Sequence, residues 1–119
     1  MLMEMTQTML DPAFGDQAAE AASLLRAMSN SSRLLVLCHL AGGVELSVSQ
    51  ICERVGLSQS ALSQHLAKLR EEGLVATRKQ AQTVFYRVAD PRAERLLVLL
   101  QEIYCPELGG GTSRNLANG

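Results

Sequence analysis

Two helices joined by a glycine turn constrain the fold of this chain more than any other feature. The first is predicted over residues 47–55, and its opening serine is followed three residues later by Gln50, the spacing of a capping box. Gly56 then turns the chain, and the second helix is predicted over residues 59–72, ended by Gly73. A short helix, a tight turn and a longer helix form the helix-turn-helix layout.

Further helices and a β-hairpin flank this pair. Upstream, apolar periodicity predicts helices over residues 16–28 and 33–40. Downstream, the β-branched segments LVATRK and TVFYRVA predict two strands joined by residues 80–82, and an Asp-Pro pair at 90–91 begins a last helix that continues to residue 104. The sequence therefore predicts a mainly α fold with a small β-hairpin, a winged helix-turn-helix of five helices plus a two-stranded wing.

The second helix of the pair has one apolar and one polar face. Leu62, Leu66 and Leu69 recur at helical spacing and are expected to pack inward, which leaves the polar side chains of the N-terminal half exposed. Glutamine and serine can hydrogen-bond to base edges in the major groove, and the hairpin tip can reach a phosphate. The residues predicted to contact DNA are Ser58, Gln59, Ser60, Ser63, Gln64, His65 and Lys68 on the helix and Arg78, Lys79 and Gln82 on the hairpin.

Three ring side chains of this region leave alternatives open. His65 lies beside the polar face, where it is expected either to contact a base or to form a hydrogen bond at the domain surface. Phe85 and Tyr86 are neighbours on the second strand and therefore point to opposite faces, so one of them is expected to enter the core.

The charge distribution supports the same interpretation although the chain is not basic overall. It has 11 basic and 12 acidic residues among 119, a formal net charge of −1. Residues 58–88, however, contain five basic and two acidic side chains, so this segment carries a formal charge of +3. A DNA backbone is therefore expected to meet the middle of the chain.

Length and termini bound the domain organisation. A chain of 119 residues fits one domain, predicted over 16–105, with a partly disordered N-terminal extension over 1–15 and a disordered, Gly- and Asn-rich tail over 106–119. No apolar run approaches the ~20 residues that span a bilayer, and the N-terminus lacks the basic start of a signal peptide. We therefore expect a cytoplasmic protein without a membrane partner.

Two segments of the chain resemble a known protein family. The segments LLRAMSNSSRLLVLCHL and ELSVSQICERVGLSQSALSQHLAKLREEGLVATRKQAQTVFYRV closely resemble the ArsR-type repressors, over about residues 18–106. The resemblance implies a homodimer formed through the first and last helices, with two recognition helices about one DNA turn apart. It also implies an imperfect inverted repeat in double-stranded DNA as the operator and release of that DNA when an inducer acts.

The resemblance also suggests what the inducer is. Arsenic- and cadmium-sensing members carry a Cys-Val-Cys pair where this chain reads ELSVSQ at residues 45–50, and the last helix lacks the His of zinc- and nickel-type members. Cys38 and Cys105 instead match by position the sulfide- or persulfide-responsive subgroup, which includes regulators of biofilm growth and of haemolysin expression. The resemblance implies that reactive sulfur species or oxidants bridge this dithiol pair.

Residue chemistry alone leaves other interpretations open for the cysteines. Three cysteines in a reducing compartment are expected to be thiols, and Cys52 is expected to act as a small apolar side chain. Cys38 and Cys105, with His39, could instead hold zinc in a metal-sensing repressor. A winged helix that binds protein rather than DNA is a further alternative. No nucleophile-base pair or Cys-X-X-Cys motif is present, so we predict no catalytic residue, enzymatic activity, cofactor or metal.

Overall fold

The computed structural model describes residues 12–105. Its elements in chain order are α1 (Pro12–Met28), α2 (Ser31–Leu40), β1 (Leu46–Ser47), α3 (Val48–Val55), α4 (Gln59–Glu71), β2 (Val75–Gln80), β3 (Thr83–Val88) and α5 (Pro91–Tyr104). α1 belongs to one unit, and the elements from α2 onward belong to another. The predicted fold of five helices with a β-hairpin wing is confirmed. The predicted tail at 106–119 and most of the predicted N-terminal extension lie outside the described residues.

Local capping signals account for most helix boundaries. Ser47 and Gln50 form the predicted capping box: the Ser47 hydroxyl accepts from the backbone N–H of Gln50 at 3.3 Å, and the Gln50 side chain accepts from the backbone N–H of Ser47 at 2.9 Å. Asp90 caps α5 by accepting from the backbone N–H of Arg92 at 2.8 Å. α1 begins at Pro12, four residues before the predicted start, because proline is well tolerated in the first turn of a helix.

The core of the second unit consists of aliphatic side chains from every helix in it. α2 contributes Val36, Leu37 and Leu40, all fully buried, and packs against α3, α4, α5 and β3. The other fully buried members are Ile51, Leu62, Leu66, Leu69, Leu74, Ala93 and Leu97. The inward packing predicted for the three leucines of α4 is thus confirmed, and each such side chain contributes about 1.5–3 kcal/mol relative to its exposed state.

The predicted two-stranded wing is present, and a third strand that the sequence did not predict extends it to a sheet of three. The strands are antiparallel in the order β1-β3-β2, and the two-residue strand β1 pairs Leu46 with Tyr86 and Ser47 with Phe85. Such a short strand has no pattern of its own, because only its pairing with β3 makes it a strand. The predicted three-residue connector is also wrong: Gln80 pairs with Thr83, so Ala81 and Gln82 alone form the turn.

The expectation that Phe85 or Tyr86 enters the core is wrong. Both side chains are half-buried, because the small sheet is not covered on both faces by the helices. Phe85 is covered instead by the guanidinium group of Arg78, whose central carbon lies 5.0 Å from the ring centroid. This is the geometry of a cation–π contact.

Truncation of a core leucine provides a test of this packing. We expect Leu66→Ala to lower the free energy of unfolding by about 2–5 kcal/mol, because the substitution removes apolar contacts and leaves a cavity. Gln64→Ala, on the exposed face of the same helix, is the matched control and is expected to change it by less than about 0.5 kcal/mol. Urea denaturation followed by circular dichroism at one fixed protein concentration measures both; equal effects would contradict the packing described here.

Candidate nucleic-acid interface and thiol pair

The turn between α3 and α4 orients the predicted recognition helix. Gly56 adopts a left-handed backbone with φ of 72°, and its N–H donates to the carbonyl of Cys52 at 3.1 Å. Ser58 caps α4, since its hydroxyl accepts from the backbone N–H of Ala61 at 3.1 Å. Ser58, predicted as a DNA contact, therefore also has a structural role at the start of α4.

The exposed face of α4 carries the polar residues that the sequence singled out. His65 is half-buried, and Lys68 lies 3.7 Å from a carboxylate oxygen of Glu71. The exposed members of the predicted set are Ser58 at the cap of α4, Gln59, Ser60, Ser63, Gln64 and Lys68 on α4, and Arg78, Lys79 and Gln82 on the wing. On α4 this exposure follows from the burial of the opposite, leucine-bearing face in the core.

Arg78 differs from the other predicted DNA contacts because its guanidinium group is already engaged. Its Nε donates to both carboxylate oxygens of Glu45 at 3.1 and 3.2 Å, and its Nη2 donates to one of them at 2.9 Å. Its Nη1 donates to the side-chain oxygen of Gln80 at 2.9 Å. Hydrogen bonding to Arg78 lowers the pKa of Glu45 below its ordinary value, so this ion pair is formed at neutral pH. The separation of 33 positions between the partners conceals the pair from sequence analysis.

The two cysteines that the sequence paired line one cavity. This cavity, of about 330 Å³, lies between α2 and α5, and Cys38 and Cys105 share it with His39 and with apolar side chains that include Leu34 and Leu100. Cys38 is half-buried within α2, whereas Cys105 is exposed at the C-terminal cap of α5. Cys52 lies on α3 and does not line this cavity.

Gln101 connects the backbones of the two cysteines, and sequence analysis did not single it out. Its Nε2 donates to the carbonyl of Cys38 at 2.9 Å, and its own carbonyl accepts from the N–H of Cys105 at 2.7 Å. Glu94, two turns earlier on α5, accepts from the backbone N–H of Gly42 just beyond α2. α5 is thus held to the C-terminal end of α2 at two points. In the sequence, the one local indication of this arrangement is that Gln101 precedes Cys105 by four residues, one helical turn.

The environment of the cavity affects the protonation of its groups. Burial, and to a lesser extent the negative charge of Cys105, raise the pKa of the Cys38 thiol above that of an ordinary cysteine. Burial and the positive charge of Arg54 lower the pKa of His39, so its imidazole is neutral at physiological pH. Within residues 12–105, no group of three or more His, Cys, Asp or Glu side chains has a geometry suited to a metal ion.

The comparisons with known proteins identify the family. Residues 30–77 match the model of the bacterial regulatory protein, arsR family. The chain is 52% identical over 88 residues to the transcriptional activator HlyU of Vibrio cholerae. The aligned segment covers 74% of this chain and 81% of HlyU. This chain belongs to the ArsR family.

Other family members agree in sequence and in structure. The biofilm growth-associated repressor of Agrobacterium fabrum is 42% identical over 94 residues, which is 79% of this chain and 80% of that protein. Reduced HlyU from Vibrio cholerae superposes with a TM-score of 0.74 at 49% identity, covering 78% of this chain and 97% of that one. BigR, a transcriptional repressor from Xylella fastidiosa, gives a TM-score of 0.73 at 35% identity, covering 81% and 94%.

Family membership confirms the resemblance and the winged helix-turn-helix fold, and it makes this chain a transcriptional regulator of the ArsR family. The relatives are regulators rather than enzymes, and they include an activator as well as repressors. The family therefore does not set the sign of regulation. In the described part of the chain, no helix is long and apolar enough to cross a membrane.

The engaged Arg78 leads to a test on the wing. Glu45→Gln removes the carboxylate that competes with a DNA phosphate for this guanidinium group. We therefore expect tighter binding to every duplex and a salt dependence of log K steeper by about 0.9, the increment for one phosphate contact. Fluorescence anisotropy at several salt concentrations measures both quantities. Glu53→Gln, with the same charge change at an exposed site on α3, is the control. Weaker binding by Glu45→Gln would contradict this expectation and would show that the Glu45–Arg78 ion pair stabilises the wing in the conformation that binds DNA.

Proposed function

We propose that this ArsR-family protein is a sequence-specific DNA-binding repressor whose affinity falls when a persulfide or another oxidant bridges Cys38 and Cys105. The observation that carries the proposal is the placement of both thiols on the wall of one cavity between α2 and α5. Their separation by 67 positions in the sequence makes this meeting a product of the fold.

The DNA-binding half of the proposal assigns roles to α4 and the wing. The exposed polar side chains of α4 read base edges in the major groove, and Lys79 and Gln82 reach the backbone or the minor groove from the wing. A second copy of the chain presents a second α4, so the operator is an imperfect inverted repeat.

Exposed apolar side chains support the homodimer. On α5, Leu99 is 49% exposed, Ile103 57% and Tyr104 77%, and Leu35 on α2 is 43% exposed. Large apolar groups clustered on one helix are typical of surfaces that another protein covers. The family expectation of a dimer formed through α1 and α5 supplies that partner as a second copy of this chain.

The thiol chemistry balances with an organic persulfide, RSSH, as the oxidant. The thiolate of one cysteine attacks the outer sulfur, forming a protein persulfide and releasing RSH. The second thiolate then attacks the cysteine sulfur of that persulfide and releases H₂S. The net reaction converts two thiols and RSSH into a disulfide, RSH and H₂S, so the two cysteine sulfurs are oxidised and the sulfane sulfur is reduced. Each further RSSH that is consumed adds one sulfane sulfur to the bridge and releases one RSH.

The two thiols differ in accessibility, which assigns the order of the steps. Cys105 is exposed and meets the reagent first, whereas Cys38 is half-buried and its pKa is raised. Cys38 therefore acts second and closes the bridge. Because α2 also packs against α3 and α4, a covalent bond between α2 and α5 shifts the population of arrangements of the recognition helices.

A titration of DNA binding tests this function directly. Reduced protein is titrated by fluorescence anisotropy against a duplex from the region upstream of its own gene, before and after treatment with glutathione persulfide, with an intact mass recorded each time. We expect at least a tenfold loss of affinity together with a mass that corresponds to a Cys38–Cys105 bridge. Cys38→Ser and Cys105→Ser are expected to bind DNA and to lose the response, whereas Cys52→Ser retains it.

Two outcomes would contradict the proposal, in different ways. Full modification of the Cys38–Cys105 pair without a change in affinity would remove these thiols as the switch and leave DNA binding intact. Absence of salt-dependent binding to any duplex would remove DNA binding itself, since phosphate contacts make affinity fall with salt.

The raised pKa of Cys38 has a consequence for its reactivity with pH. Only the thiolate is alkylated, so we expect iodoacetamide to modify Cys38 more slowly than an ordinary cysteine near neutral pH, with a midpoint shifted to higher pH. Cys105→Ser removes the neighbouring negative charge and is expected to move the midpoint partway back, because the burial remains. Rates from peptide mass spectrometry over a range of pH measure the shift. A midpoint below that of an ordinary cysteine would reverse the assigned order of attack.

A further inference from the structure

An open concavity lies between α4 and strand β3 of the wing. Its volume is about 460 Å³. One wall is formed by Ser63, Ala67, Arg70 and Glu71 of α4, and the other by Tyr86 of β3. Three of the α4 residues follow the i, i+4, i+7 spacing of a single helix face. This face adjoins the predicted DNA-reading surface, because Ser63 belongs to both.

The charges in this concavity favour an anionic occupant. The Arg70 side chain is exposed and forms no ion pair or hydrogen bond with another side chain among residues 12–105, in contrast to the fully engaged Arg78. Glu71 is compensated by Lys68, whose Nζ lies 3.7 Å from its carboxylate. The concavity therefore holds one uncompensated guanidinium group, together with the hydroxyl groups of Ser63 and Tyr86.

The backbone holds these groups in a fixed arrangement. Tyr86 lies on the central strand of the sheet, paired with Leu46 on one side and Thr77 on the other. Arg70 is two turns beyond Ser63, about 10 Å along the axis of a helix whose opposite face is buried in the core. Ser63, Arg70 and Tyr86 therefore lie on one continuous surface next to the polar face of α4.

We propose that this concavity binds a backbone phosphate of double-stranded DNA, with Arg70 donating to the phosphate oxygens and the Tyr86 hydroxyl as a second donor. Guanidinium groups bind phosphate through paired, charge-assisted hydrogen bonds. A single cation in an open groove binds a free anion only weakly, whereas a duplex is also held there by its other contacts with the protein. The site rests on the proposed DNA-binding function and extends it to two residues that the sequence did not indicate as contacts.

The test compares charge-changing variants of the full-length protein by anisotropy over a range of salt concentrations. Arg70→Ala is expected to weaken binding by roughly tenfold for specific and unrelated duplexes alike, and to reduce the magnitude of the salt slope by about 0.9. Arg70→Lys retains the slope because it retains the charge. Tyr86→Phe is expected to weaken binding severalfold without a change in slope. Arg54→Ala removes the same charge from an exposed site on α3, outside the concavity and the predicted DNA contacts, and is expected to change neither quantity.

The possible failures are distinguishable. Wild-type protein that binds no duplex overturns the proposed function, and the phosphate site with it. Wild-type binding with an unchanged slope for Arg70→Ala overturns the phosphate site alone. A loss confined to one DNA sequence also overturns it, because Arg70 would then contact a base. Circular dichroism of each variant identifies any loss of binding that arises from unfolding.

Discussion

The burial of α2 is the constraint on which the rest of this structure depends. Val36, Leu37 and Leu40 are fully buried, and the helix that carries them packs against α3, α4, α5 and β3. This packing holds α4 with its leucines inward, so the polar face of α4 is exposed. It also places Cys38, the residue after Leu37, on the wall of the cavity that α5 completes. One helix thus supports both the exposed face of α4 and the thiol pair, which is the physical connection that the proposed switch requires.

Electrostatics explain how a chain with a net charge of −1 can meet a polyanion. The relevant quantity is the number of cations that remain uncompensated on one surface, not the total. Glu45 engages Arg78 and Glu71 compensates Lys68, so two cations that the sequence counts toward DNA binding are partly used within the protein. Arg70 and Lys79 remain exposed on the surface formed by α4 and the wing. Internal ion pairs therefore decide which cations of the basic segment are available to an anionic partner.

Much of the fold could be predicted because its signals are local. The capping box at Ser47 and Gln50, the left-handed Gly56 and the Asp90 cap each act within a few residues, so the helix boundaries were predicted closely. β1 and the short turn were missed because they exist only through pairing with β3. The prediction that Phe85 or Tyr86 enters the core was wrong. Alternation along a strand predicts that the two side chains point to opposite faces, but not whether either face is covered.

Periodicity, caps and the motif SQSALSQHLAKLREEGLV are all local, so they were sufficient to predict the helix-turn-helix, the wing and the family. Which charged and polar groups meet depends instead on how the elements pack. Arg78 contacts Glu45 across 33 residues, and Gln101 contacts the carbonyl of Cys38 across 63. The reason is physical: a side chain's local pattern fixes the face on which it lies, whereas its partner is fixed by how the elements pack.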